Sequence, residues 1–455
     1  MSHLPGLTVA ERLYGLSFIW QEANYNFAYF DRVPDLDWDA AYREFVPRVI
    51  AAEDTGTYYD LLARFTALLK DGHTVVVPPK SLFLNRDRPK LMLMNVGNAP
   101  VVTNASQGIG QRVPIGSELL EVDGVSAQEY LATRVIPLVC ETTPHRRLDH
   151  AVARMLLGPQ VNPVTCRFRT PDGRAVTLEL PRNRRTDVDP WLHPPSVPDP
   201  WEFMYFDEWL FAMEQDRAPF TAFQFRTLEG NLAYVALNTF MNPTVVTSFE
   251  EKLPVIRRCA GMILDLRKNH GGQDDYAYRI VSHFLRQPAE RLLVRTRKNI
   301  ASRLAAGAAM KHTPPDQMAD LAEWQRESLL CYRMQWFEEM DWGQVQPASE
   351  RLECPTVILT SSETGSAAED FLMAFESGRG ETLRIGAGTA GSSGQPLMEV
   401  LPGGGMLGIC TVRMPWPEEI RLKGIEPHIH IEPTVEDVIL GHDRILQAAI
   451  RHLCG

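Results

Sequence analysis

The sequence predicts a multidomain α/β protein, and three observations predict it. At 455 residues the chain is too long for one hydrophobic core, which implies two to four domains. Its second half alternates short apolar runs at 232–237, 261–266 and 356–360 with helical signals, the pattern of buried strands joined by helices. Its first eighty residues instead carry apolar side chains at helical spacing.

The helical part comes first. Val9, Leu13, Leu16 and Trp20 form one stripe, and Trp38, Tyr42, Phe45 and Val49 a second in which Pro47 should kink or shorten the helix. A third helix is expected from Thr57, a cap with Asp60 three residues on, through Tyr58, Leu61, Leu62, Phe65, Leu68 and Leu69. Gly72 should end it, in Asp71-Gly72-His73-Thr74, before the extended Val75-Val76-Val77. Residues 1–80 therefore read as a helical domain.

From 88 to 185 the pattern shifts to short strands, with Asp123-Gly124 and Asp172-Gly173 marking hairpins. The string from Ile115 to Val125 resembles the signature of a PDZ domain, a module that binds chain ends by adding the peptide to a sheet edge. Arg182, Arg184 and Arg185 read as a solvated turn. Residues 186–230, rich in Pro and Trp near their start, read as a linker, since prolines so spaced do not fit regular elements. Residues 231–455 form the α/β core, interrupted at 286–350 by a mostly helical insertion whose Trp324, Trp336 and Trp342 could wall a cleft.

Composition excludes several function classes. A formal charge of −11 opposes general nucleic-acid binding, which needs clustered Lys and Arg. Seven scattered cysteines include no Cys-x-x-Cys pair, so they read as reduced thiols, and no metal site or cofactor is expected. With neither a secretion signal nor a membrane-spanning stretch in view, the cytoplasm is the expected location and no membrane partner is expected.

Two motifs carry chemistry. In Asp265-Leu266-Arg267-Lys268-Asn269-His270-Gly271-Gly272 a buried strand runs into a polar turn ending in two glycines, which let backbone amides face a cleft without side chains in the way. The bland alternative is a tight strand-to-helix turn with a local Asp265–Arg267 ion pair. In Thr364-Gly365-Ser366-Ala367-Ala368-Glu369 a serine follows a strand and opens a helix, where free amides favour negative charge and the Ala367 amide is a natural oxyanion donor. Alone, that serine could be only a cap.

Together, and about a hundred residues apart, these motifs resemble the tricorn-core and carboxyl-terminal processing family of serine peptidases. The turns at 386–391 and 424–429 extend the likeness. It implies a ClpP/crotonase-like core, Ser366 as nucleophile, and backbone amides of Gly271, Gly272 and Ala367 around the oxyanion. The processing branch places a lysine base where this chain has Ser392, so the tricorn-like branch fits better and implies His73 as the base. An imidazole suits that task, its ordinary pKa being about 6.5. Gly72 replaces the branch's second serine. Its orienting glutamate would fall at Arg421, which leaves Glu418 and Glu419 as displaced candidates. His270 and His428 stand where the family has other residues. The resemblance implies a peptide or protein substrate and a homo-oligomer. Two rivals stay open: a non-catalytic ligand-binding protein on the same fold, and an enzyme that passes the acyl group to an amine or alcohol.

Overall fold

The computed structural model describes residues 6–193, 222–291, 294–297, 301–414 and 423–454. The chain forms two compact units. One comprises 1–79, 291–343 and 394–416; the other comprises 80–290, 344–393 and 417–455.

The larger unit is built on a six-stranded sheet. Its strands are β1 (Phe223–Leu228), β2 (Leu232–Leu237), β3 (Gly261–Asp265), β4 (Thr356–Thr360), β5 (Arg384–Gly386) and β6 (Ile429–His430), and they lie side by side in that order. β1 and β2 pair antiparallel, and every later pair is parallel. All six residues of β2 and all five of β3 are buried, because helices cover both faces. Val235, Leu264 and Ile358 meet Phe249 of α1 (Thr244–Ile256), Ile280 of α2 (Asp274–Val281) and Phe371 of α3 (Ala367–Arg379). Their neighbours Tyr234, Ile263 and Val357 point the other way, into the cluster that holds Ala449 of α4 (Arg444–Cys454). The alternation of side chains along a strand thus divides one apolar run between two core layers.

The same unit carries a six-stranded antiparallel β module: Leu91–Val96, Ala99–Ala105, Glu118–Val122, Val164–Arg169 and Ala175–Leu180 lie in that order, and the short Val125–Ser126 pairs with Glu118–Val122 off that path. Residues of Val164–Arg169 alternate buried and exposed, as a strand with one wet face should. Asp123 at φ 50° and Gly124 at φ 77° turn the chain between the paired Val122 and Val125. The helix Pro144–Arg154 lies against Leu91–Val96, and Ala151 and Val152 join the module's apolar core with Leu91 and Leu93. Arg182 departs from the solvated turn expected of it: it is buried, and its Nε donates to the Leu156 carbonyl at 2.9 Å. The segment read as the start of a linker is pinned to the module through Leu192, whose N–H donates to the Ala105 carbonyl at 2.8 Å, and His193, whose carbonyl accepts from Asn104 Nδ2 at 2.9 Å.

In the smaller unit, helices Val9–Asn26, Trp38–Ile50 and Thr55–Ala67 pack through aromatic contacts, with the Trp38 and Phe65 rings stacked 4.1 Å apart. Pro47 sits inside the second helix, which runs on to Ile50. The third helix starts earlier than its sequence pattern suggests, because Asp54 rather than Thr57 is the cap and accepts from the Thr57 N–H at 2.8 Å. It also stops before Gly72, and Lys70 takes the left-handed conformation at φ 51°. Val75–Val77 pairs with Gly405–Cys410, which pairs in turn with Pro396–Leu401. The stretch expected to be a helical insertion holds helices Ala301–Ala309 and Glu323–Tyr332, but also strands Val294–Arg297 and Phe337–Met340. Val294–Arg297 pairs with Val412–Arg413, a partner more than a hundred residues away, and this groups 291–343 with the amino-terminal helices. No helix among the described residues is long and apolar enough to cross a membrane.

Candidate active site

Three turns at the carboxyl ends of β3, β4 and β5 build the site of the larger unit, where active sites of parallel sheets are formed. The turn after β3 is anchored by the polar residues of its motif. Arg267 bonds Asp265 and Asp443 together, with both NH2 contacts at 2.7 Å, and the Tyr234 hydroxyl donates to Asp265 at 2.7 Å. Asp265 is buried, but the adjacent guanidinium holds its carboxyl below the ordinary range. Asn269 is fully buried; its Nδ2 donates to the Leu237 carbonyl at 3.0 Å, and its Oδ1 accepts from the Gly271 N–H at 2.9 Å. The ion pair anticipated as a bland reading is therefore present, as one fastener of the turn.

The turn after β4 is tied directly to the first. Ser361 Oγ donates to the Arg267 carbonyl at 2.6 Å, Thr364 Oγ1 to the Leu266 carbonyl at 2.9 Å, and the Gly365 N–H to the Asn269 carbonyl at 3.0 Å. The turn delivers Ser366 to the start of α3 at φ 52° and ψ −129°, a conformation that non-glycine residues seldom adopt and that costs on the order of 1–3 kcal/mol. Ser366 makes no side-chain capping bond to its helix, so it is not the plain cap that its position allowed. A Cβ added to Gly271 would lie 2.5 Å from the Ser366 Cβ and 2.7 Å from the Ala367 nitrogen. Only glycine lets this backbone pass so close to the serine. Gly272, at φ 141°, lies beside Phe240, and their bridge uses the Gly271 carbonyl and the Gln273 amide, leaving the Gly272 N–H out of the pairing. Ala367, first in its helix, has no intrahelical acceptor for its N–H.

The third turn, after β5, is held by Glu369, one helical turn beyond Ser366. This carboxylate is fully buried and accepts from Thr389 Oγ1 at 2.5 Å, the Gly391 N–H at 2.8 Å and the Ser392 N–H at 2.9 Å. Burial pushes its pKa up to about 7, against those hydrogen bonds, which favour the ionised form. Ser392 in turn accepts from the Ser366 N–H on its carbonyl, at 2.8 Å. The position where a lysine was sought thus serves through its backbone. Nothing in the sequence pattern marked Glu369 for this task beyond its place in the second motif.

These geometric facts meet an independent one. Residues 231–431 match the model of peptidase family S41. The matched span holds both motifs and strands β2 to β6. The S41 region is that of a serine-type peptidase, and its fold has solved counterparts. Mature CPAF is 16% identical and covers 98% of both chains with a TM-score of 0.70; CPAF complexed with lactacystin is 16% identical, with the same coverage and a TM-score of 0.68. The photosystem II D1 C-terminal processing protease is 15% identical over 99% of this chain and 98% of its own, with a TM-score of 0.47. No curated protein matches the sequence.

His73 belongs to the smaller unit, where its N–H donates to Asp71 Oδ1 at 3.0 Å. The same oxygen accepts from Thr74 Oγ1 at 2.9 Å, so Asp71 sets the backbone on both sides of the histidine. Glu418, Glu419 and Arg421 lie outside the described residues. His428 extends the sheet, its N–H donating to the Arg384 carbonyl at 2.9 Å and its Nδ1 accepting from the Arg384 N–H at 3.0 Å.

Beside the two tied turns, a cavity of about 540 Å³ opens between the β module and the core. Residues Leu93 to Asn98 line one side, with His145 and Asp149 of the module's helix next to them and Lys268 and Glu363 of the core opposite.

Proposed function

We propose that the protein hydrolyses peptide bonds through an acyl-enzyme on Ser366. His73 takes the serine proton and returns it to the leaving amine, while the N–H groups of Gly272 and Ala367 receive the charge that develops on the carbonyl oxygen. The orienting carboxylate is assigned to Glu418 or Glu419. The observation that carries this reading is the strained Ser366 at the start of α3 with Gly271 packed against its Cβ, within an S41 region. Strain of this kind persists where the surroundings over-determine it, and such places cluster at active sites.

The β module is proposed to act as a PDZ-like domain. Its strand Leu91–Val96 is the first of the module's sheet and lies against the helix Pro144–Arg154, an arrangement able to take up an extended peptide as an added strand. Peptides and unfolded chain ends are the substrates this favours. All seven cysteines are thiols, which fits action in the reducing cytoplasm.

The test is turnover of a quenched-fluorescent peptide library. Wild type should cleave a subset, and Ser366→Ala and His73→Ala should each lower kcat/KM by at least about a thousandfold. Cleavage that survives Ser366→Ala would remove the proposed nucleophile.

A further inference from the structure

A chain of ionisable side chains, buried or partly buried, runs from the β module into the two turns of the site. It starts at His150, whose Nδ1 lies 2.7 Å from Glu141 Oε1; that oxygen lies 3.3 Å from Arg146 Nε. Arg146 NH2 then approaches His270 Nδ1 at 3.4 Å, His270 Nε2 faces Glu363 Oε2 at 3.2 Å, and Lys268 Nζ holds Glu363 Oε1 at 2.9 Å. Arg146 and Glu363 keep less than a tenth of their side-chain surface exposed. A guanidinium can only donate, so Nδ1 is the acceptor in the Arg146 contact, while Nε2 and Glu363 Oε2 meet at ion-pair distance without a well-aimed hydrogen bond. Burial works against ionisation of Glu363, but Lys268, His270 and Arg146 outweigh it and hold the carboxyl down at about 2.

The position of His270 gives this chain its meaning. The residue immediately precedes Gly271 and Gly272, while Glu363 lies in the turn that presents Ser366, so one imidazole bridges the oxyanion turn and the serine turn. Arg146 adds the module's helix to the same bridge. Two further contacts fasten that helix to the site: Ser362 Oγ donates to Asp149 at 2.6 Å, and His145 Nε2 meets the Thr389 carbonyl at 2.9 Å.

We infer that His270 is a positioning residue: by joining Arg146 of the β module to Glu363 of the serine turn, it sets the Gly271–Gly272 amides against Ser366. It touches no reacting atom in this scheme. The inference rests on the oxyanion role proposed above for Gly272 and Ala367. A peptide held along Leu93 to Asn98 would lie in the cavity that Lys268 and Glu363 also line, so occupancy there would bear on the same bridge.

The experiment measures the second-order rate at which a fluorophosphonate labels Ser366, alongside kcat and KM for a peptide that wild type cleaves, in the full-length protein. Because displacement of reacting groups by about 1 Å can cost a hundredfold, His270→Ala should slow labelling and lower kcat by about 10–100-fold, with KM within about twofold of wild type. His270→Gln keeps one donor and one acceptor, and should recover to within about threefold of wild type. Arg146→Ala should slow labelling by about 3–10-fold. Thermal melts confirm that each variant is folded. Labelling of His270→Ala at the wild-type rate overturns the inference, as does equal slowing by His270→Ala and His270→Gln, which would mean that only ring volume matters. Labelling that persists in Ser366→Ala instead overturns the proposed nucleophile, so the two failures are told apart.

Discussion

Ser366 is held in a conformation that its own side chain disfavours, with its N–H donating to the Ser392 carbonyl of another turn and its carbonyl accepting from the Glu369 and Asp370 N–H groups of its own helix. Gly271 is a position for which no substitute is geometrically available. An added methyl group would meet the Ser366 Cβ at 2.5 Å and the Gly365 carbonyl oxygen at 2.8 Å, with backbone rather than a flexible side chain in the way. Gly271→Ala should therefore lower kcat/KM by at least about a hundredfold and destabilise the protein by about 1–3 kcal/mol, measured by peptide cleavage and by urea denaturation. Glu369 supplies a pH signature. A carboxyl whose pKa rises from 4.5 to about 7 on folding binds its proton more tightly in the native state, so the stability it contributes is complete below about 4.5 and is lost as pH rises toward about 7. The loss is on the order of 3 kcal/mol. Glu369→Gln should flatten that slope, and denaturation midpoints at pH 5 and pH 7.5 check it. At this scale the turn that holds the serine and the turn that holds the paired glycines were legible in the sequence, because each sits beside its own strand. The chain from Arg146 through His270 to Glu363 was not, since its members come from three separate stretches and no local pattern links them.

At the scale of elements, the carboxyl end of β3 is fixed to the start of α4 by Arg267 between Asp265 and Asp443. Its partners hold Arg267 well above the ordinary guanidinium pKa although burial opposes the charge, and the arginine is charged in any case. Removing it would leave two carboxylates close together and unpaired, one of them buried. Arg267→Ala should cost about 3–5 kcal/mol by chemical denaturation. The strands of the core were readable as apolar runs because both their faces are covered, and the Asp123-Gly124 hairpin was readable from its turn residues. The third helix of the smaller unit was misplaced at its start, because Asp54 competes successfully with Thr57 for the capping position. The strands Val294–Arg297 and Phe337–Met340 were hidden for a different reason: each is short, and the first also depends on a distant partner at Val412–Arg413.

The whole molecule divides along lines that chain order does not suggest, with three separated segments in each unit. Long-range strand pairing decides the membership of 291–343 and 394–416, and a sequence read segment by segment assigns them to the core that surrounds them. The seven thiols give a prediction for the intact chain: denatured protein purified without reductant should release seven equivalents of thionitrobenzoate from Ellman's reagent. The account as a whole depends on one covalent event at one oxygen. Intact mass and peptide mapping after fluorophosphonate treatment test it most directly: a single adduct on Ser366, absent from Ser366→Ala and strongly slowed in His73→Ala, is the predicted result. An adduct on any other residue, or a native wild-type protein that the reagent leaves unmodified, would contradict it.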